Sequence, residues 1–279
     1  MSSLVVNTNI SAIQAYDNLN ATNSALSTAI SRLSSGLQIQ TAADNPAGYV
    51  VSQQLLAESN GYGVDIQNAQ NGISMIQTAD GALGQITSIL QTMNQLALQA
   101  ANGTTSPSAD AADQAEFVQL QNEIDQIANS TNFAGQQLLN LSGASATITF
   151  QVGTGNNGVS QVGVTFSSAT TTALGVASTS VSISGVASAQ AAISAIASAL
   201  ASVNAIEGSL GAYQNEFQAI IANLTVGQQN MTASYSRIVD VNMAQEMTQF
   251  TTDQILMQSG VAMLSQAQQE PSLVLKLLT

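Results

Sequence analysis

The chain has no cysteine, no histidine and no tryptophan. Without thiols or imidazoles it can form neither disulfides nor iron–sulfur clusters, and it lacks the commonest zinc ligand, thiol nucleophile and general base. No catalytic, cofactor-binding or metal-binding residues are therefore expected, and no enzymatic activity. Charge is nearly as scarce: 7% of the 279 residues are charged, where an ordinary soluble domain carries roughly 25%. Only Arg32, Arg237 and Lys276 are positive against 16 carboxylates, giving a net charge of −13. Three cations cannot neutralise a phosphate backbone or an anionic bilayer, so nucleic acid and lipid surfaces are excluded as partners. No run approaches the ~20 apolar residues of a membrane span, and the first residues carry no basic region followed by an apolar core, so neither insertion nor a Sec-type signal is expected. Aromatic residues make up only 4% of the chain. Long, thin packing of small and aliphatic side chains fits that composition better than a compact aromatic core.

What is present is helical periodicity. Tyr16, Leu19, Asn23, Leu26, Ile30, Leu33 and Leu37 follow alternating steps of three and four, the spacing of a coiled-coil seam. Met243, Met247, Phe250, Gln254, Met257, Val261 and Leu264 repeat the pattern near the other end. Asn23 and Gln254, polar positions within these seams, are candidates for fixing register. With Met and Gln in place of Leu and few flanking ion pairs, each seam is marginal alone. The two are expected to pair with each other and with neighbouring molecules, and to be loose in an isolated monomer.

Asp44-Asn45-Pro46 reads as a helix start, with a side-chain cap and a proline at the first helical position. The helix that follows carries a stripe of Ile66, Ala69, Ile73, Ile76, Leu83, Ile86, Leu90, Met93 and Ala97, and at ~1.5 Å per residue it spans about 85 Å. A third helix opens near Asp110, with Phe117, Leu120, Ile124 and Ile127 on one face. Asp110, Asp113 and Glu116 could in principle hold a divalent cation, but acids at a helix start suit its dipole without one. Residues 146–152 and 162–166 alternate like strands around a Gly/Asn-rich loop and predict a β-hairpin. A Ser/Thr/Gly-rich tract follows to about Ser184, and helical period then holds from Ile193 to Ile238. The expected fold is mainly α: long antiparallel helical rods and terminal coiled-coil helices with a small β-hairpin region. Residues 1–43 with 240–279 form the expected terminal coiled-coil domain and its connecting spoke. Residues 44–239 form the rod domain, including a hairpin and variable tract at 141–188.

Several short motifs, in order, resemble those of bacterial flagellin. They include Asn7-Thr8-Asn9, Arg32-Leu33-Ser34-Ser35-Gly36-Leu37, Asp44-Asn45-Pro46-Ala47-Gly48 and the stretch from Asn71 to Leu83; Leu210 to Phe217, Ser236-Arg237-Ile238, Gln254 to Gly260 and Leu264 to Gln268 answer them at the other end. The resemblance implies the structural subunit of the extracellular helical filament of the flagellum, a homopolymer exported through the flagellar export apparatus. It further implies an export chaperone, and cap and junction proteins, as partners. Terminal helices would line the inner tube of the filament. A flagellin-like hook-filament junction protein and a secreted coiled-coil adhesin are the alternatives. Family members often insert outer domains after the hairpin; only the Ser/Thr tract stands there in this chain, so a minimal form is expected. An exposed tract without charge risks self-association, which makes Ser167, Ser168, Thr170, Thr171 and Thr172 candidates for O-glycosylation.

Overall fold

The computed structural model describes residues 8–103, 106–141, 143–155 and 158–278, without the side chains of residues 107, 159 and 270–278. Asn7 of the first motif, Asn156 and Asn157 of the hairpin loop and the side chain of Lys276 therefore lie outside the described residues. The chain divides into two compact units, residues 58–229 and residues 1–57 with 230–279. Two long helices contribute to both.

In the terminal unit, α1 (Ile10–Ser35) starts at Asn9, whose side chain accepts from the Ala12 amide at 3.0 Å. It stops at Gly36, held at φ 74°, a left-handed conformation that glycine adopts without a Cβ clash. Two short linkers then run side by side: Leu37 bridges Asp240 antiparallel, Gln38 and Ile39 donate to the Val239 carbonyl, and Val241 donates to that of Gly36. Asn45 caps α2 (Pro46–Ala100), accepting from the Gly48 amide at 2.9 Å. Pro46 at the helix start has no N–H to leave unpaired. Asp44 Oδ2 accepts from the Thr41 amide at 2.8 Å, the Thr41 hydroxyl at 3.0 Å and the Gln40 amide at 3.1 Å. These bonds, that of the Thr41 amide first, hold its pKa below the ordinary carboxylate value. α5 (Met243–Leu278) completes the unit.

The larger unit is built on α2, α3 (Pro107–Ser130) and α4 (Val186–Val239). Every member of the expected α2 stripe is buried or half-buried, as are Phe117, Leu120, Ile124 and Ile127 of α3 and the whole stripe from Ile193 to Ile238. By length and composition α4 could cross a membrane, which the reading of apolar runs did not anticipate. The reason is alanine, which counts as apolar but adds little surface. Ala189, Ala192 and Ala199 line the core with Ile196 and Val203, while Ser194, Ser198 and Ser202 bond back to carbonyls four residues earlier.

β3 (Ser145–Gln151) and β4 (Gln161–Ser167) form the antiparallel hairpin, in register from Ser145 opposite Ser167 to Gln151 opposite Gln161. Val162, Val164 and Phe166 of β4 turn inward. Phe150 of β3 meets Phe217 of α4 edge-to-face, with centroids 5.4 Å apart and planes at 84°. A Cβ on Gly72 of α2 would come within 2.9 Å of the Phe217 ring and 3.4 Å of Phe150. Gly72 thus lets helix, helix and hairpin close on one point. A second, smaller hairpin, β1 (Asn132–Phe133) with β2 (Gln136–Gln137), was not expected. Its turn needs positive φ at two successive residues, here Ala134 at 50° and Gly135 at 84°. Alanine at the first of them masks the usual Asn-Gly signal.

Asp65 of α2 is 5% exposed, and its Oδ2 has no hydrogen-bond partner. Burial pushes its pKa above the ordinary carboxylate value. A raised carboxylate pKa means that the folded chain binds this proton more tightly than the unfolded chain does. The resulting cost is present at neutral pH and is relieved as pH falls through the raised value. Asp65→Asn is expected to raise the melting temperature of the larger unit at neutral pH, by an amount that shrinks on acidification. Asp44→Asn should act in the opposite sense, removing stability that the native chain has at neutral pH and loses as pH falls through the lowered value. Melting curves of both variants across an acid series check the two signs.

Candidate assembly surface

α1 and α5 run antiparallel. Asn9 Nδ2 donates to the Ala267 carbonyl at 2.6 Å, a Cβ on Gly260 would lie 3.3 Å from Leu19 Cδ1, and Arg32 reaches Glu246 at 3.8 Å. The latter is the ion pair found among the described residues. Cα atoms of the two helices approach within 8 Å along the pair, an approach that no other helix pair sustains among the described residues. Small side chains allow it. Ala15, Thr22 and Ala29 alternate with Leu19, Leu26 and Leu33 on the inward face of α1, and Glu246, Asp253, Gly260 and Ala267 alternate with Phe250, Met257 and Leu264 on that of α5.

The expected seams are split lengthwise by this arrangement. Leu19, Leu26, Leu33, Leu37, Phe250, Met257 and Leu264 are buried or half-buried, whereas Tyr16, Asn23, Ile30, Met243, Met247, Gln254 and Val261 are exposed. At ~100° per residue the inward face is turned by about 50° from the expected axis on both helices. Ala15, Thr22 and Ala29 take the inward places expected for Tyr16, Asn23 and Ile30. On α5, Glu246, Asp253 and Gly260 replace Met247, Gln254 and Val261. Asn23 and Gln254 thus sit on the surface of this pair, whose contacts across the seam are made by Asn9 with Ala267, Gly260 with Leu19 and Arg32 with Glu246. Asp253 was missed altogether. It is 5% exposed, with Oδ1 accepting from Gln249 Nε2 at 3.0 Å and Oδ2 unpartnered.

The displaced half of each seam makes an apolar flank. Tyr16 and Ile30 lie beside the inward face of α1; Met243, Met247 and Val261 lie beside that of α5, with Leu256 and Met263 on its other side. All are about half exposed or more. Among the described residues, every exposed large hydrophobic except Val64, Leu98, Val186 and Val226 belongs to the terminal unit. Large apolar patches on a folded surface mark contacts with other molecules.

Residues 6–144 match the bacterial flagellin N-terminal helical region, and residues 193–278 match the bacterial flagellin C-terminal helical region. The chain belongs to the bacterial flagellin family. It is 38% identical over 275 residues to a flagellin of Halalkalibacterium halodurans, covering 99% of this chain and 100% of that one. It is 36% identical over 287 residues to the flagellar filament 33 kDa core protein of Treponema phagedenis, again covering 99% and 100%. The solved structure of a protein described as flagellar hook-associated, from Vibrio parahaemolyticus, superposes with a TM-score of 0.59 over 71% of this chain and 100% of that chain; at 13% identity it shows a shared fold alone. As a flagellin, the chain is a structural subunit that polymerises with copies of itself into the flagellar filament, and it serves motility. Only residues 145–192 separate the two matched regions, so this flagellin is a minimal form without large outer domains.

The Ser/Thr tract is tied to α3 by three of that helix's side chains. Asp125 accepts from the Thr171 amide and hydroxyl, both at 2.8 Å. Gln121 Nε2 donates to the Val176 carbonyl at 2.8 Å, and Gln114 Oε1 accepts from the Ile183 amide at 2.6 Å. Thr171 is consequently 3% exposed with its hydroxyl engaged, which removes it from the glycan candidates. Ser167, Ser168 and Thr170 are half-buried; Thr172 is exposed, as are Ser178, Thr179 and Ser180, which the sequence reading passed over.

Proposed function

We propose that this flagellin forms the extracellular filament through the flanks of α1 and α5, and that the pairing of these helices is the conformation held in the polymer. The concentration of exposed apolar side chains in the terminal unit carries this reading. Residues 1–43 with 240–279 act as the assembly domain and spoke, and residues 44–239 as the rod domain. Before assembly the terminal helices are loose, which favours passage through the export apparatus in an unfolded form and disfavours polymerisation inside the cell. Export apparatus, chaperone, cap and junction proteins are the partners this role requires. Val261→Asp tests the flank: it places a charge on the outward side of α5 and leaves the α1–α5 seam untouched. Purified native chain is expected to grow long tubular filaments visible by electron microscopy, and the variant to remain monomeric with the helix content of the native monomer. Filaments from the variant would count against the flank, and short oligomers from the native chain would favour a junction role.

O-linked glycans on Thr172 and on the neighbouring exposed Ser178, Thr179 and Ser180 would shield a charge-free surface, and Ser167, Ser168 and Thr170 offer partly covered sites. Intact mass spectrometry of native filaments should show mass above that of the bare chain, and peptide mapping should place it outside Thr171. A mass equal to the bare chain removes the proposal.

A further inference from the structure

We propose that Met243, Met247 and Met263 form an oxidant-sensitive site through which hydrogen peroxide blocks polymerisation. The inference rests on the assembly reading above. The chain has eight methionines and no cysteine, so no thiol intercepts an oxidant first. Their placement is sharply divided: Met243, Met247 and Met263 are 50%, 47% and 64% exposed, whereas Met75 and Met93 in the core of the larger unit are 6% and 0% exposed. Met231 and Met257 are half-buried. Among the described residues all three exposed thioethers stand on α5, Met243 and Met247 on the flank shared with Val261 and Met263 on the opposite flank beside Leu256. Oxidation before assembly therefore falls on the flanks proposed to be covered by neighbouring copies, and spares the core of the larger unit.

The chemistry is a two-electron oxygen transfer. A sulfur lone pair attacks one peroxide oxygen, the O–O bond breaks, the sulfur–oxygen bond forms, and the other oxygen leaves as water after taking up the proton; the thioether is oxidised and the peroxide reduced. The product is a strongly hydrated sulfoxide in place of a flexible apolar side chain. Burying it between copies without a hydrogen-bond partner weakens each contact, and every subunit of the polymer repeats the defect.

Full-length monomer treated with graded hydrogen peroxide, then mapped by peptide mass spectrometry and assayed by sedimentation, tests the proposal. Met243, Met247 and Met263 should each gain one oxygen before Met75 and Met93 do. The concentration needed for polymerisation should rise about tenfold or more, with the melting transition of the larger unit unmoved. The M243L/M247L/M263L chain, close in side-chain volume, should polymerise normally and keep doing so after the same dose. Unimpaired polymerisation of monomer oxidised at all three sites, or equal loss in the Leu variant, overturns the inference. A chain cut back at both ends that still grew filaments would instead overturn the assembly reading itself.

Discussion

Removing residues 1–40 and 241–279 is expected to leave a soluble, helical monomer that cannot polymerise. The larger unit has its own buried core, running through Leu83, Leu90 and Met93 of α2, Phe117 and Ile124 of α3, Phe166 of β4 and Ile196 and Phe217 of α4. None of these contacts needs α1 or α5. The terminal unit, by contrast, rests on one two-helix seam, and most of its apolar flanks are exposed among the described residues. Deleting both helices should abolish polymerisation at any accessible concentration while a cooperative thermal transition persists. Circular dichroism and sedimentation check the two halves of that result. Filaments from the shortened chain, or its failure to fold, would refute the division of labour between the units.

The second large effect concerns Phe217, which is fully buried where α2, α4 and the β3–β4 hairpin meet. Phe217→Ala removes the ring against which Gly72 and Phe150 close, and truncation of a buried aromatic side chain costs about 3–5 kcal/mol. With native domains stable by only about 5–15 kcal/mol, that loss is a large share of the unit's total stability and should lower its melting temperature markedly. Denaturant unfolding of the shortened chain with and without the substitution measures it directly. Gly72 cannot relax to fill the gap, because it carries no side chain and its backbone is fixed inside α2. A loss below ~1 kcal/mol would mean that the neighbours repack and that this junction is not a keystone.

Legibility from sequence followed side-chain size. The long helices were plain because their stripes are made mostly of Ile, Leu, Met and Phe at helical spacing, and the structure buries or half-buries those residues. The β3–β4 hairpin was plain because alternating β-branched residues flank a glycine-rich loop. The terminal helices were recognisable as helices, but the side they turn to each other was not. A search for large apolar residues settles on Tyr16, Ile30, Met247 and Val261, whereas the close pair is made by Ala15, Thr22, Ala29 and Gly260, whose value lies in what they lack. The seven-residue recurrence of Ala15, Thr22 and Ala29, and of Asp253, Gly260 and Ala267, was the available signal. Asp253 hid it further, since a carboxylate is the last residue expected on an inward face. Thr171 shows the complementary limit: its hydroxyl looks like its neighbours in the sequence, and only its distant partner, Asp125, reveals that it is occupied.

On the proposed reading, α1 and α5 pair within one subunit along the face of Ala15, Ala29 and Gly260 and present Tyr16, Ile30, Met247 and Val261 to neighbouring subunits. A side-chain-resolution electron cryomicroscopy structure of the assembled filament tests it most directly. Leu26, Ala29 and Gly260 should lie in the seam within a subunit, with Tyr16, Ile30, Met247 and Val261 buried against other copies. Finding those four side chains facing solvent in the filament, or α1 paired with the α5 of a neighbour in place of its own, would contradict the account.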